Sequence, residues 1–146
     1  MLERTFITTQ PKVQEGQKIE EQVIDWSNRT ILIAEDEEVN YIYLKTALSK
    51  TNVNILRAHD GEEAVEMTRV NPLIELILMD IKMPKMNGLE ATKAIKSFRS
   101  DIVIVAQTAF AMDEDRKNCK AVGVDDFLSK PVRYKLLFEA LSKHFK

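Results

Sequence analysis

Leu76-Ile77-Leu78-Met79-Asp80-Ile81-Lys82-Met83-Pro84-Lys85-Met86-Asn87-Gly88 is the stretch that decides the fold. Its short apolar run, bounded by turn residues, reads as a strand buried on both faces, as in the interior of a parallel sheet. The run stops at Asp80, turns at Met83-Pro84 and reaches Asn87-Gly88, where a helical pattern opens. A carboxylate at the carboxyl end of a central parallel strand lies where open α/β sheets place their ligand chemistry. The plain alternative is a solvated turn aspartate, and the residues around this stretch choose between the two.

From Arg29 onward strand and helix patterns alternate, which points to a parallel sheet covered on both faces. Thr30 to Ala34 reads as strand one, ending in Glu35-Asp36, with a helix over about 38–50. Val53 to Ala58 reads as a more polar second strand at the sheet edge. Asp60-Gly61-Glu62-Glu63 has the form of a capping box, and its helix runs to the break at Asn71-Pro72. Strand three ends at Asp80, and helix three carries Leu89, Thr92, Ile95 and Phe98 at core spacing. Strand four, 102–107, ends in Thr108-Ala109. A polar helix over about 113–122 has acids first and bases later, which suits the helix dipole. So polar a helix must be mostly solvated and free to meet a partner. Gly123 ends it, 124–129 forms strand five, and Lys130-Pro131 leads into a last helix with Val132, Leu136, Leu137, Ala140, Leu141 and Phe145 in one apolar stripe. Five strands with right-handed crossovers favour the flavodoxin-like α/β order 2-1-3-4-5 with five helices.

Residues 1–28 differ from the rest. Thr5 to Pro11 reads as one short strand closed by a proline, and Ile19, Val23 and Trp26 recur at helical spacing in a polar segment. This part cannot bury a core by itself and reads as a linker with an anchoring tryptophan. With 146 residues, 45% hydrophobic and 30% charged, the chain fits one globular domain plus that extension. A net charge of -2 without a basic stripe argues against a general affinity for nucleic acid. The single Cys119 permits no internal disulfide and reads as a small helix residue. No run of about 18 apolar residues spans a membrane, and the start lacks a signal-peptide core. The expectation is a cytoplasmic chain, or a cytoplasmic piece of a longer one.

In such a sheet strands one, three, four and five end on one rim, so Glu35, Asp36, Asp80, Thr108 and Lys130 converge on a shallow cleft. Each has an ordinary reading alone: a helix cap, a turn hydroxyl, a surface lysine. Their coincidence at four strand ends is harder to dismiss. Two carboxylates about 4 Å apart repel by on the order of 4 kcal/mol at an effective dielectric of 20. A divalent cation relieves this, and an all-oxygen set favours Mg²⁺ or Mn²⁺ over zinc. Lys130 adds a compact positive charge and Thr108 a donor, the parts that phosphoryl transfer needs.

With those motifs in order, the chain from about Arg29 to His144 resembles the receiver domains of the two-component response-regulator family. The resemblance implies that Asp80 is the phosphoacceptor, taking a phosphoryl group from a phosphohistidine on a histidine kinase or histidine phosphotransfer protein. It implies that Asp36, Asp80 and the backbone carbonyl of Lys82 bind Mg²⁺, with Glu35 acting through a bound water. Lys130 would pair with Asp80 or its phosphate, Thr108 would move toward the phosphate, and Phe127 would turn inward behind it. The face of helix four, strand five and helix five would then change, and that face is where a homodimer would form. The resemblance also implies a cis Lys130-Pro131 bond, and autocatalysed phosphorylation and hydrolysis at Asp80. Phe127 lacks the hydroxyl of the more usual Tyr, and Lys82 and Phe110 occupy the positions that tune phosphate lifetime, with Phe110 expected to shield the acyl phosphate.

Ala34-Glu35-Asp36-Glu37-Glu38-Val39-Asn40 and Thr108-Ala109-Phe110-Ala111-Met112 resemble receivers fused to hybrid sensor histidine kinases, and Thr5 to Pro11 looks like the last strand of a kinase ATP-binding domain. The expected organisation is therefore the tail of such a domain or a linker over 1–28 and a receiver over 29–146. The parent kinase would be anchored in the inner membrane, with no membrane contact from this segment. A stand-alone regulator and an unphosphorylated pseudo-receiver are the alternatives. A haloacid-dehalogenase-type phosphatase would need an acid where Lys82 stands, and a flavodoxin-like cofactor binder would need a phosphate loop where Glu35 to Glu38 repel phosphate.

Overall fold

The computed structural model describes residues 24–109 and 113–145. Five strands, β1 (Thr30–Ala34), β2 (Asn54–Ala58), β3 (Leu76–Asp80), β4 (Val103–Thr108) and β5 (Asp126–Ser129), form one sheet in the order β2-β1-β3-β4-β5. All four strand pairings are parallel. The helices are α1 (Glu38–Leu48), α2 (Gly61–Val70), α3 (Gly88–Phe98), α4 (Asp113–Val122) and α5 (Tyr134–His144). The expected fold class and strand order therefore hold.

Alternation along the inner strands builds two cores, one on each side of the sheet. Ile31, Ile33, Leu76, Leu78 and Val105 meet α1 and α5 through Leu44, Leu48, Leu137 and Leu141. Leu32, Ala34, Ile77, Met79 and Ile104 meet α2 and α3 through Ala64, Ala91 and Ile95. Every residue of β3 is buried, which is why its sequence shows no polar alternation. Full burial of each such aliphatic side chain contributes about 1.5–3 kcal/mol.

Several boundaries move. The first helix gives way at Ser49 to a 3-10 turn, Ser49–Thr51, which ends at Asn52 in the left-handed region. The second strand begins at Asn54 rather than Val53, and the fifth at Asp126 rather than Val124. Thr108 is the last residue of β4 instead of the first beyond it. Asp60 does accept from the Glu63 amide, but the Glu63 carboxylate reaches back to the amide of His59, one residue short of a closed box. The closed capping box lies at Asn87 and Glu90, which starts α3 directly after the Asp80 turn. In the last helix Leu136 is 46% exposed, and Val132 lies before the helix begins. The buried stripe of α5 is Leu137, Ala140 and Leu141, with Phe145 just beyond. Cys119 is the buried residue of α4, and burial raises its thiol pKa, as suits an inert packing residue.

Trp26, on the linker side of the expected boundary, is 8% exposed and belongs to the α1/α5 core. Its amide donates to the Thr51 carbonyl at 2.7 Å, and its ring stacks on Phe138 and meets Phe145 edge-on. The tryptophan is thus an anchor. The strand expected at Thr5 to Pro11 and the helical positions Ile19 and Val23 lie outside the described residues.

Candidate functional site

The parallel register brings the carboxyl ends of the inner strands to one rim. Ala34 pairs with Met79 and Asp80 with Gln107, so the residue after β1, Glu35, faces the last residue of β3. Oxygen atoms of Glu35, Asp36 and Asp80 all lie within 4.8 Å of one another. Asp80 is 3% exposed and Glu35 fully buried, whereas Asp36 is exposed. The β3–α3 turn is packed tightly below them. A Cβ on Gly88 would sit 2.2 Å from the Asp80 carbonyl oxygen, so only glycine lets α3 start this close to β3.

Lys130 enters the cleft from the end of β5, where its amide donates to the Thr108 carbonyl at 2.8 Å. Its Nζ lies 3.1 Å from Asp80 Oδ1 and 3.5 Å from Glu35 Oε1. The second distance is an ion-pair contact without hydrogen-bond geometry, and Glu35 Oε1 is a buried oxygen with no hydrogen-bond partner. The other Glu35 oxygen accepts from the Glu37 amide at 3.2 Å. Burial, then the neighbouring Asp80 charge, pushes the Glu35 carboxyl from 4.5 up to about 7, against the pull of Lys130. Burial alone would lower the Lys130 pKa, but the Asp80 hydrogen bond and charge outweigh it, and the ammonium is held above its usual range.

The Lys130–Pro131 peptide is cis, as the resemblance implied. Thr108 is buried at the end of β4 and pairs with Ser129 of β5. Phe127 is half-buried one strand further out, and the Arg116 guanidinium of α4 lies 4.8 Å from its ring centroid. Lys82 is exposed, with its amide 3.4 Å from Asp80 Oδ1. Phe110 lies outside the described residues.

The Lys130 ammonium, shared by two crowded carboxylates, leaves a buried oxygen without a hydrogen bond. That, with an all-oxygen donor set open to solvent at Asp36, fits a hard divalent cation. Two neighbours of the site escape the strand-end reading. Gln107, beside Asp80 across the sheet, is buried, and its Nε2 has no hydrogen-bond partner. Its one sequence signal is a polar residue inside an apolar strand. Arg57 on the edge strand holds the Glu35 backbone, and nothing in the sequence around it marks that contact.

A five-stranded 2-1-3-4-5 sheet with a buried aspartate, an acidic pair and a lysine on its rim defines a phosphoacceptor α/β module. The chain belongs to the response regulator receiver domain family, whose model matches residues 31–142. It is 40% identical over 120 residues to hybrid signal transduction histidine kinase I of Dictyostelium discoideum, covering 77% of this chain and 7% of that protein. It is 30% identical over 118 residues to the polar-differentiation response regulator DivK of Brucella ovis, covering 80% of this chain and 95% of that one. Among solved structures, the receiver domain of sensor histidine kinase PA1611 from Pseudomonas aeruginosa, with a magnesium ion in its active-site cleft, is 30% identical with a TM-score of 0.73, over 80% of this chain and 96% of that one. The receiver domain of the Saccharomyces cerevisiae regulator Ssk1, crystallised with the phosphotransfer protein Ypd1, is 31% identical with a TM-score of 0.71, over 80% and 86%. The chain is thus a receiver domain of a two-component phosphorelay, similar to hybrid histidine kinase receivers. Among the described residues no helix is long and apolar enough to cross a membrane.

Proposed function

We propose that Asp80 is the phosphoacceptor. A carboxylate oxygen of Asp80 attacks the phosphorus of a phosphohistidine, the P–N bond breaks, and the imidazole leaves with the bonding pair as the acyl phosphate forms. The supporting observation is the buried Asp80 carboxylate, 3.1 Å from Lys130 and within the three-acid cluster. Asp36, Asp80 and the carbonyl of Lys82 would hold Mg²⁺, with Glu35 acting through water. The ion neutralises phosphoryl-oxygen charge when bound. Mn²⁺ suits the same oxygens. Lys130 moves its pairing from the carboxylate toward the new phosphate, and Thr108 donates to a second phosphoryl oxygen. Phe127 then leaves Arg116 and turns inward, altering the α4-β5-α5 face, which is also the face proposed for a homodimer.

The phosphodonor is proposed to be a histidine kinase or a histidine phosphotransfer protein, in line with the Ypd1 complex of the similar Ssk1 receiver. Val39 and Tyr43 of α1 and Tyr134 of α5 are exposed apolar side chains lining a cleft of about 550 Å³ that reaches Lys130, which suits such a partner. The chain is proposed to be the C-terminal, cytoplasmic piece of a hybrid kinase, with 1–28 as linker or domain tail and 29–146 as the receiver. The resemblance to DivK, which the chain matches over nearly its whole length, supports a stand-alone regulator as the second reading. Reading the encoded frame upstream of Met1 decides between them.

The test is intact mass after incubation with acetyl phosphate, with and without Mg²⁺, on this chain and Asp80→Asn. A Mg²⁺-dependent gain of one phosphoryl group, lost in the variant, is expected. No gain and no metal binding would overturn the reading in favour of a pseudo-receiver.

A further inference from the structure

The metal-binding loop between β1 and α1 has an unusual mounting. Glu37, at the start of α1, makes no side-chain cap bond, so the loop is not fixed by the usual helix N-cap. The Glu35 side chain spans the loop and the acid cluster, one oxygen on the Glu37 amide and the other facing Lys130. Asn40 Nδ2 donates to Glu37 Oε1 at 2.6 Å and ties the loop's far end to α1, while the Glu35 backbone ties its near end to the sheet, both of its polar groups being bonded to β2. Its amide donates to the Ala58 carbonyl at 3.0 Å. Its carbonyl accepts from Arg57 twice, Nε at 3.2 Å and Nη2 at 3.1 Å.

The Arg57 guanidinium is itself held in place. Nη1 donates to Glu38 Oε1 at 2.6 Å, and the guanidinium lies 4.3 Å from the Tyr41 ring centroid. Its side chain is 13% exposed although it stands on an edge strand. A planar fork can make two parallel bonds to one side while a third donor reaches elsewhere; a lysine ammonium cannot reproduce that geometry.

We propose that Arg57 is a positioning residue for metal binding and phosphoryl transfer, acting through the Glu35 carbonyl to set where Glu35 and Asp36 present their carboxylates. This rests on the acid cluster being the Mg²⁺ site. Losing the fork frees the loop, and the site must then reorder it on binding, so affinity falls while the sheet and cores remain.

The experiment titrates Mg²⁺ into metal-free protein and follows the backbone amide NMR shifts of Glu35, Asp36 and Asp80, in wild type, R57M, R57K and E38Q. Melting curves with chelator are recorded in parallel. R57M keeps the apolar stem over Tyr41 and removes every donor; its Mg²⁺ dissociation constant is expected to rise about tenfold, the lower end for lost outer-shell partners. R57K is expected to recover part of that loss. E38Q removes the ion pair but leaves the fork on Glu35, and is expected to bind within about twofold of wild type, since an exposed pair is worth little. Equal affinity in R57M and wild type would overturn the proposal, as would E38Q weakening Mg²⁺ as much as R57M does. Should R57M not fold, R57K carries the same comparison, and wild-type affinity there overturns the proposal. Failure of wild type itself to bind Mg²⁺ would instead reject the site reading on which the proposal rests.

Discussion

Raising the pH of metal-free protein from 5 to 8 is expected to destabilise it, against the usual trend for a protein rich in carboxylates. The cause is Glu35. In the folded chain its carboxyl titrates at about 7, because burial and the Asp80 charge disfavour ionisation; unfolded, it returns to 4.5. Between those values the folded state holds a proton that the unfolded state has released, so stability falls as pH rises. The contribution is complete below 4.5 and gone above about 7. At 1.36 kcal/mol per pH unit the interval amounts to about 3 kcal/mol. Glu38, Glu63 and Asp126 have pKa values below their ordinary ones, so their titration lies below this window. The assay is urea unfolding at half-unit steps from pH 5 to 8 with chelator, on wild type and Glu35→Gln. Wild type should lose stability across the window and the variant should not, while Mg²⁺ should offset the wild-type loss at pH 8. A variant whose pH slope matches wild type would falsify the assignment to Glu35.

Further expectations bear on the same architecture. Apparent Mg²⁺ affinity in wild type should rise between pH 6 and 7.5 as Glu35 loses its proton, by up to about tenfold per unit, and isothermal titration at several pH values checks this against Glu35→Gln. Gly88→Ala forces a Cβ to within 2.2 Å of the Asp80 carbonyl oxygen. Backbone must shift there, costing about 1–3 kcal/mol and slowing phosphorylation by acetyl phosphate; an unchanged urea midpoint would contradict the packing. Trp26→Ala removes a buried aromatic that touches Phe138 and Phe145. A loss of about 3–5 kcal/mol is expected for a core aromatic, whereas a free linker residue would cost almost nothing.

Much of the fold was legible because its signals are local. A run such as Leu76 to Met79 is apolar at every position, and that follows from burial on both faces wherever the strand lies. Glu35, Asp80, Thr108 and Lys130 could be placed on one rim because parallel strands all point their carboxyl ends the same way. The failures are equally local in form. Leu136 fits the apolar stripe of α5 by spacing, yet lies at the stripe's margin and faces solvent. The capping box suggested at Asp60 and Glu63 does not close, because Glu63 reaches the His59 amide instead, and the closed box stands at Asn87 and Glu90 of the next helix.

By itself the sequence determined the strand order, the two-faced core and the identity of the acids and the lysine at the strand ends. Those depend on hydrophobic period and on strand direction, which neighbouring residues encode. Tertiary structure alone decided that Glu35 is buried and Asp36 exposed, although they are adjacent and chemically alike. It also decided that Trp26 joins the receiver core, and that Arg57 reaches from an edge strand to the Glu35 carbonyl. Such contacts join residues more than twenty positions apart, and their energies depend on distance and burial in space, quantities that residue order does not carry.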